Sequence, residues 1–303
     1  MIGYVYTLIR GHDLNLATRD YGGPASLPIL LLHGAGRSLA DWQTLIPRLM
    51  QNHRIVAMDL REHGPSDAGP WSIASLQTDI AAVLRYYKMP TAALVGHSMG
   101  GVLAHLYAEA HPETTAVINF DGFSLMPRQH IDLAEDECQR RWMRVRAEQN
   151  WTPSRLSSDQ FFKAIEETAT RFNIDLQAAA EIFYRTTKME EDEFYVFRQD
   201  KISLDGVRWL YENHLQGRNL FESIQTTAVR CLIFQASLNS IPDNMPDWMR
   251  ELYAAYFGGV SKELQRIGRE PHVTVEQTNA DHFMILSHPD QLASRIQTFL
   301  AHQ

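Results

Sequence analysis

The chain has 303 residues, of which 45% are hydrophobic and 21% charged, as expected for a globular protein with a large buried core. The 36 acidic residues outnumber the 28 basic ones and no Lys/Arg-rich run occurs, which argues against nucleic acid or an anionic membrane surface as a partner. The two cysteines, Cys138 and Cys231, are too few and too far apart for a disulfide framework or a metal site.

Four short apolar runs in the first 121 residues predict strands, and the segments between them have helical periodicity. The predicted strands are Ile29–Leu32, Arg54–Met58, Thr91–Val95 and Ala116–Phe120. The predicted helices are Asp41–Met50, Ser72–Tyr87 and Met99–Ala110. Nearly continuous apolar strands are buried on both faces, so this alternation predicts a doubly wound α/β fold with a parallel sheet. Ahead of it, Tyr4–Ile9 and Leu14–Thr18 predict an antiparallel pair at the sheet edge.

The alternation stops after Asp121 and resumes near Val229. Between them lie residues 122–228, called here the insertion, in which we find helical segments and no strand pair. These segments are Asp159–Phe172, Leu176–Tyr184 and Leu204–Leu215. The insertion is too long for a loop and predicts a helical cap subdomain on a core of residues 1–121 and 229–303. The core continues with Val229–Gln235 (strand), Asp247–Ile267 (helix), His272–Gln277 (strand) and Asp290–Leu300 (helix).

The sharpest local motif is Gly96-His97-Ser98-Met99-Gly100, which lies between a predicted strand and a predicted helix. In that context a G-x-S-x-G sequence is typical of a nucleophilic serine on a sharp turn. Side chains at Gly96 and Gly100 would crowd such a turn. Ser98 is therefore the candidate nucleophile, although a glycine turn that holds an ordinary serine has the same pattern.

A second motif, His33-Gly34-Ala35-Gly36, follows the strand Ile29–Leu32. A glycine loop at the carboxyl end of a strand can direct backbone N–H groups toward an oxyanion. The N–H groups of Ala35 and Met99 are the candidate donors.

Thirteen histidines are present, so position must identify the base. Asp281-His282-Phe283 follows the last predicted strand and so lies at the carboxyl edge of the sheet, where open α/β sheets place their sites. His282 is the candidate base, because His97 lies inside the serine turn and His33 begins the glycine loop.

Together these motifs resemble the α/β-hydrolase superfamily, in its lidded form. The resemblance rests on the HGAG loop at 33–36, the stretch Asp59–Asp67, GHSMGG at 96–101 and the late Asp281-His282-Phe283, in the order and at the spacings of that family. It implies an eight-stranded, mostly parallel sheet, a helical cap over the serine, and a Ser–acid–His triad in that chain order. The chain departs from the family pattern at Glu62, where a glycine is usual.

The acid of the triad has two candidate positions. In this family it most often follows the strand that corresponds to Val229–Gln235, and there this chain has Asn239. An amide cannot stabilise an imidazolium as a carboxylate does. Some members take the acid from the end of the earlier strand, where this chain has Asp121. We expect Asp121, with Asp243 as the alternative, although Asp-Gly is also a common turn pair.

These residues predict acyl transfer to water from an ester, lactone or thioester of a small, largely apolar molecule, with no cofactor and no metal. Residues beside the motifs are the expected substrate contacts: Gly34, His97, Phe123 and Phe283. Carbon–carbon bond hydrolysis and perhydrolysis could use the same triad, and a non-catalytic small-ligand receptor could use the same fold. With no apolar run near ~20 residues and no secretory signal, we expect a cytoplasmic monomer or homodimer.

Overall fold

The computed structural model describes residues 6–11, 13–24, 26–123, 132–148, 155–191, 193–197, 220–238 and 245–301. Its strands are β1 (Thr7–Arg10), β2 (Asn15–Gly22), β3 (Ile29–Leu32), β4 (Ile55–Met58), β5 (Ala93–His97), β6 (Ala116–Phe120), β7 (Arg155–Leu156), β8 (Thr187–Met189), β9 (Tyr195–Phe197), β10 (Cys231–Ala236) and β11 (Val273–Thr278). Its helices are α1 (Ile46–Leu49), α2 (Ile73–Tyr86), α3 (Met99–Ala110), α4 (Glu135–Glu148), α5 (Ser158–Phe172), α6 (Leu176–Thr186), α7 (Leu220–Thr226), α8 (Asp247–Ile267), α9 (Met284–Ser287) and α10 (Pro289–Ala301), with a 3₁₀ turn at Leu39–Trp42.

Eight strands form one sheet in the order β1-β2-β4-β3-β5-β6-β10-β11. β1 and β2 pair antiparallel, β2 meets β4 antiparallel, and every other neighbouring pair is parallel. The predicted mostly parallel, eight-stranded fold and its antiparallel edge pair are confirmed, with strand ends shifted by a few residues. Because β3, β5, β6, β10 and β11 run in one direction, the loops that follow them meet at one edge of the sheet.

Both faces of the sheet are covered, as continuous apolar strands require. Every residue of β3, β4, β5, β6 and β10 is buried. One apolar core lies between the sheet and α2, α3, α7 and α8, and the other between the sheet and α1, α9 and α10. None of the described helices combines the length and apolar sequence needed to cross a membrane.

The prediction of one continuous helix over Asp41–Met50 is wrong. The structure has a 3₁₀ turn at Leu39–Trp42 and then the four-residue α1. Pro47, in the first turn of α1, has no N–H to donate to the carbonyl of Gln43 four residues earlier, so one continuous α-helix would lose that bond.

The prediction that the insertion contains no strand pair is also wrong. β7, β9 and β8 form a small antiparallel sheet, paired in that order. Strands of two and three residues are too short to show alternation in the sequence. The predicted helices Asp159–Phe172 and Leu176–Tyr184 are present as α5 and α6, and Leu204–Leu215 lies outside the described residues.

Helix α6 joins the insertion to the core through ionic contacts. Arg185 donates a hydrogen bond to Asp59, which follows β4, and both side chains are almost fully buried. Asp59 also accepts a hydrogen bond from the Leu39 N–H at 2.7 Å. Burial raises the pKa of Asp59, and the neighbouring Arg185 charge opposes that effect. Glu181 of α6 contacts Arg19 of β2 at 3.2 Å.

The buried pair of Arg185 and Asp59 should therefore matter more for stability than an exposed pair in the insertion, such as Arg140 with Asp136. We expect Arg185→Met to lower the free energy of unfolding by about 3–5 kcal/mol, because it leaves a carboxylate buried without its counter-charge. Arg140→Met is the matched control, since the Arg140 and Asp136 side chains are 64% and 70% exposed and the loss of their ion pair should leave the free energy of unfolding near that of wild type. Urea unfolding at pH 7 measures both, and equal losses would contradict this account.

A second stability prediction concerns His105, in the middle of α3. The residue is buried, and neither ring nitrogen has a hydrogen-bond partner among the described residues. Burial lowers the pKa of His105 to about 3, whereas the unfolded chain titrates near ~6.5. The unfolded state then binds the extra proton as pH falls from that value, so this histidine destabilises the fold increasingly in acid.

We expect His105→Leu to be stabilised relative to wild type by about 2 kcal/mol more at pH 5 than at pH 8. Urea denaturation at the two pH values measures this difference. His111→Leu is the control, because that partly exposed histidine follows the same helix. If His105→Leu retained the wild-type pH dependence, the buried neutral state of His105 would be disproved.

Candidate active site

Ser98 lies at the turn between β5 and α3, with φ 53° and ψ −121°. This backbone conformation is strained for a residue with a side chain. Its N–H donates to the Phe120 carbonyl at 2.9 Å, and its hydroxyl does not cap α3. The turn is tight: a Cβ on Gly96 would lie 2.2 Å from the Gly100 carbonyl oxygen, and one on Gly100 would lie 2.1 Å from that of Leu32. The motif glycines are needed for this close approach.

His282 and Asp121 are in direct contact, although 161 residues separate them. Nδ1 of His282 lies 2.7 Å from Oδ2 of Asp121, and the second carboxylate oxygen accepts the Ala236 N–H at 3.0 Å. The Asp121 side chain is 6% exposed, whereas that of His282 is 39% exposed. A carboxylate only accepts, so Nδ1 of His282 carries a proton and, in the neutral ring, Nε2 is left as an acceptor.

Asn119 holds Asp121 in place. Its side-chain amide donates to the Gly122 carbonyl at 2.9 Å and accepts from the Gly122 N–H at 2.8 Å. Asp121, enclosed by this bridge, has φ 51°, in the left-handed region that few residues with a side chain adopt. The two hydrogen bonds offset that cost and direct the carboxylate toward the loop after β11.

The glycine loop after β3 packs against the serine turn. A Cβ on Gly34 would lie 3.1 Å from the Cβ of Ser98 and 3.2 Å from Nδ1 of His97. The N–H groups of Ala35 and Met99 donate to none of the described residues. Two backbone donors beside a strained serine are suited to bind a developing negative charge.

Two buried histidines hold the glycine loop in place through hydrogen bonds. Nε2 of His33 accepts the Leu60 N–H at 3.0 Å, so Nδ1 carries the proton and donates to the Gly34 carbonyl at 2.7 Å. His63 does the same: Nε2 accepts the Gly36 N–H at 3.0 Å, and Nδ1 donates to the Arg61 carbonyl at 2.9 Å. Burial lowers the pKa of His33 well below its usual value and that of His63 to about 4. Both rings are neutral near pH 7 and set the loop's shape.

His97 packs against the candidate base, His282. Its Nε2–H donates to the His282 carbonyl at 2.8 Å, and the two ring centroids are 4.7 Å apart. Burial lowers the pKa of His97 well below its usual value, so the ring is neutral. Phe283 lies 6.2 Å from His97 between ring centroids, whereas Phe123 is buried against Phe221 at 5.9 Å.

The sequence analysis also named Asn239 and Asp243 as possible positions of the triad acid and Glu62 as a departure from the family pattern. Asn239 and Asp243 lie outside the described residues. Asp281 accepts from the Phe283 N–H and does not contact the ring of its neighbour His282 in the described structure. Glu62, where a glycine is usual, adopts φ 65°, and its carboxylate accepts the Trp71 indole N–H at 2.8 Å.

Sequence reasoning did not identify Asn119 or His63. A signal existed for Asn119, since a buried amide at the end of an apolar strand must find hydrogen-bond partners. For His63 the pattern offered little, because its partner Gly36 is 27 residues away and on another loop.

An eight-stranded, mostly parallel sheet with a strained serine turn and a glycine loop at one edge defines a class of α/β enzymes. The chain belongs to the Alpha/beta hydrolase family, whose sequence model matches residues 29–295. The predicted membership of the α/β-hydrolase superfamily and the predicted eight-stranded, mostly parallel fold are thereby confirmed.

The relatives and structures similar to this chain include several hydrolases. It is 22% identical over 291 residues to a serine hydrolase-like protein of Danio rerio, across 93% of this chain and 84% of that one. A segment of 103 residues is 35% identical to 3-oxoadipate enol-lactonase 2 of Acinetobacter baylyi, but covers 33% of this chain and only 38% of that enzyme. The crystal structure of E-2-(acetamidomethylene)succinate hydrolase shares the fold, with a TM-score of 0.70, 18% identity and coverage of 99% and 100% of the two chains. These comparisons support a hydrolase.

Proposed function

We propose that this protein is a serine hydrolase that cleaves an ester, lactone or thioester of a small, largely apolar molecule through an acyl-enzyme. The observation that carries the proposal is the 2.7 Å contact between Nδ1 of His282 and Oδ2 of Asp121, at the sheet edge that also holds Ser98. A strained serine, an oriented imidazole and a buried carboxylate are the groups that this chemistry requires.

In the proposed reaction the Ser98 hydroxyl attacks the acyl carbon while Nε2 of His282 takes its proton. The N–H groups of Ala35 and Met99 bind the oxyanion, and the Asp121 carboxylate stabilises the imidazolium. His282 then protonates the leaving group, which departs and leaves the acyl group on Ser98. A water molecule, deprotonated by His282, attacks the acyl-enzyme and releases the acid.

The proposal extends to the insertion, as a cap over this site. Phe172 of α5 lies 6.2 Å from Phe283, centroid to centroid, so the insertion reaches the residue beside the candidate base. These aromatic rings favour a largely apolar substrate. The paired His282 and Asp121 also favour an enzyme over a non-catalytic receptor, which would not need an oriented base.

A substrate panel tests the proposal. Purified protein is assayed at pH 8 with p-nitrophenyl esters of increasing chain length, with γ- and δ-lactones, with acyl thioesters, and with a vinylogous 1,5-diketone that reports carbon–carbon bond hydrolysis. Ser98-dependent turnover of at least one acyl–oxygen or acyl–sulfur substrate is expected. Turnover of the diketone alone would replace this proposal with carbon–carbon bond hydrolysis. If the protein binds compounds of this panel but turns none of them over, a non-catalytic receptor would replace the proposed hydrolase.

A further inference from the structure

The end of α5 touches the turn that carries His282 at two points. Nη2 of Arg171 donates to Oδ2 of Asp281 at 2.7 Å. The next residue, Phe172, packs edge-on against Phe283. Both contacts cross from the insertion to the core, and they flank His282 in the sequence on either side.

Asp281 links the Arg171 contact to the shape of this turn. Its other carboxylate oxygen, Oδ1, accepts the Phe283 N–H at 2.9 Å, and its backbone carbonyl accepts the Met284 N–H at 3.1 Å. The aspartate therefore closes a turn around His282, and a side chain that fixes its carboxylate also fixes that turn. An unheld carboxylate could change rotamer and release the Phe283 N–H.

The arginine itself projects from a fixed scaffold. Helix α5 packs on α6 through a small apolar cluster that includes Phe161, Ile165 and Ala179. Helix α6 is joined to the core by the buried pair of Arg185 and Asp59. The position of Arg171 is thus set by the insertion, independently of the turn that it holds.

We propose that Arg171 is a positioning residue for the catalytic base: through Asp281 it holds the His282 turn in the geometry in which Nδ1 contacts Asp121. This inference rests on the proposed function and adds to it a dependence of the base on the insertion. The ion pair is partly exposed, with 60% of the Arg171 side chain and 34% of the Asp281 side chain accessible. Exposed ion pairs contribute little to stability, so its loss should affect the turn and not the fold.

If Arg171 and Asp281 acted on His282 through their charges alone, the kinetics of their variants would differ from those of a positioning role. Among the described residues, the charged and titratable groups in contact with His282 or its turn are Asp121, His97, Asp281 with Arg171, and Arg37, which lies 5.4 Å from the Phe283 ring centre and is paired with Asp41. Arg171→Gln removes a positive charge and Asp281→Asn a negative one. Acting through charge alone, the two changes would move the midpoint of the pH–rate profile in opposite directions. Acting through position, both lower kcat.

The experiment uses p-nitrophenyl acetate hydrolysis and fluorophosphonate labelling of Arg171→Gln, Asp281→Asn, the double variant and Arg171→Lys. Arg155→Gln is the matched control, because Arg155 also lies in the insertion, in an exposed pair with Glu190 away from the His282 turn. We expect each single variant to lose about 10- to 100-fold in kcat, the cost of a misplaced catalytic group, with KM and the unfolding temperature near wild type. The double variant should be no slower than the slower single variant, Arg171→Lys should recover part of the rate, and Arg155→Gln should match wild type.

Wild-type rates in Arg171→Gln, or losses that multiply in the double variant, would overturn the positioning role and leave the proposed function standing. The positioning role would also be overturned if the midpoints of the pH–rate profiles of Arg171→Gln and Asp281→Asn moved in opposite directions while their maximal rates stayed at the wild-type value. If the wild-type protein shows no Ser98-dependent turnover or labelling, the proposed function fails and the positioning role fails with it.

Discussion

Ser98→Ala should lower kcat for ester hydrolysis by about 10⁶-fold while the protein remains folded. The loss is large because Ser98 carries the acyl group in the proposed reaction, and what remains is hydrolysis by water near the oxyanion donors. Alanine keeps the side-chain carbon that the turn already accommodates, so the unfolding temperature should change little. Steady-state kinetics with p-nitrophenyl acetate and thermal unfolding measure the two quantities.

Ser287→Ala is the matched control for this variant. Ser287 is an exposed serine at the end of α9, five residues after His282, and its hydroxyl contacts only local groups. Its replacement should leave kcat near wild type. Retention of a tenth or more of the activity in Ser98→Ala would mean that another residue is the nucleophile.

Asp121→Asn should lower kcat by about 10⁴-fold, the second largest effect. The reason lies in the partners of the carboxylate. Oδ1 accepts the Ala236 N–H, so the amide oxygen of an asparagine would take that position and its NH₂ would face His282. That NH₂ can only donate, which forces the proton of the imidazole onto Nε2 and removes the acceptor that Ser98 needs.

Asp243→Asn is the natural comparison for Asp121→Asn, because Asp243 is the other acid that the sequence permits. Its kcat should remain within a few-fold of wild type. A large loss in Asp243→Asn together with a small one in Asp121→Asn would assign the acid to Asp243. Circular dichroism and unfolding temperature must match wild type in both variants for the comparison to hold.

Much of the fold follows from local sequence. Strands β3 to β6 are nearly continuous apolar runs, and helices α3 and α8 begin and end where their periodicity does. Ser98 and the glycine loop are recognisable for the same reason, since a tight turn between strand and helix needs small residues at fixed offsets.

What could not be read from the sequence depends on contacts between distant segments. The contact of Asp121 with His282 needs the sheet order, which puts β6 and β11 on either side of β10. The hydrogen bond from the Gly36 N–H to His63 joins two loops, and the contact of Arg171 with Asp281 joins the insertion to the core. The short strands β7 to β9 carry too few residues for any periodicity to emerge.

Ser98 should be a nucleophile activated by His282 and Asp121. The most direct measurement is the rate at which a fluorophosphonate labels the purified protein, with the modified peptide located by mass spectrometry. Rapid labelling confined to Ser98, abolished in Ser98→Ala and strongly slowed in Asp121→Asn, is the result that this account predicts. A folded wild-type protein that stays unlabelled, or that is labelled at another residue, would contradict it.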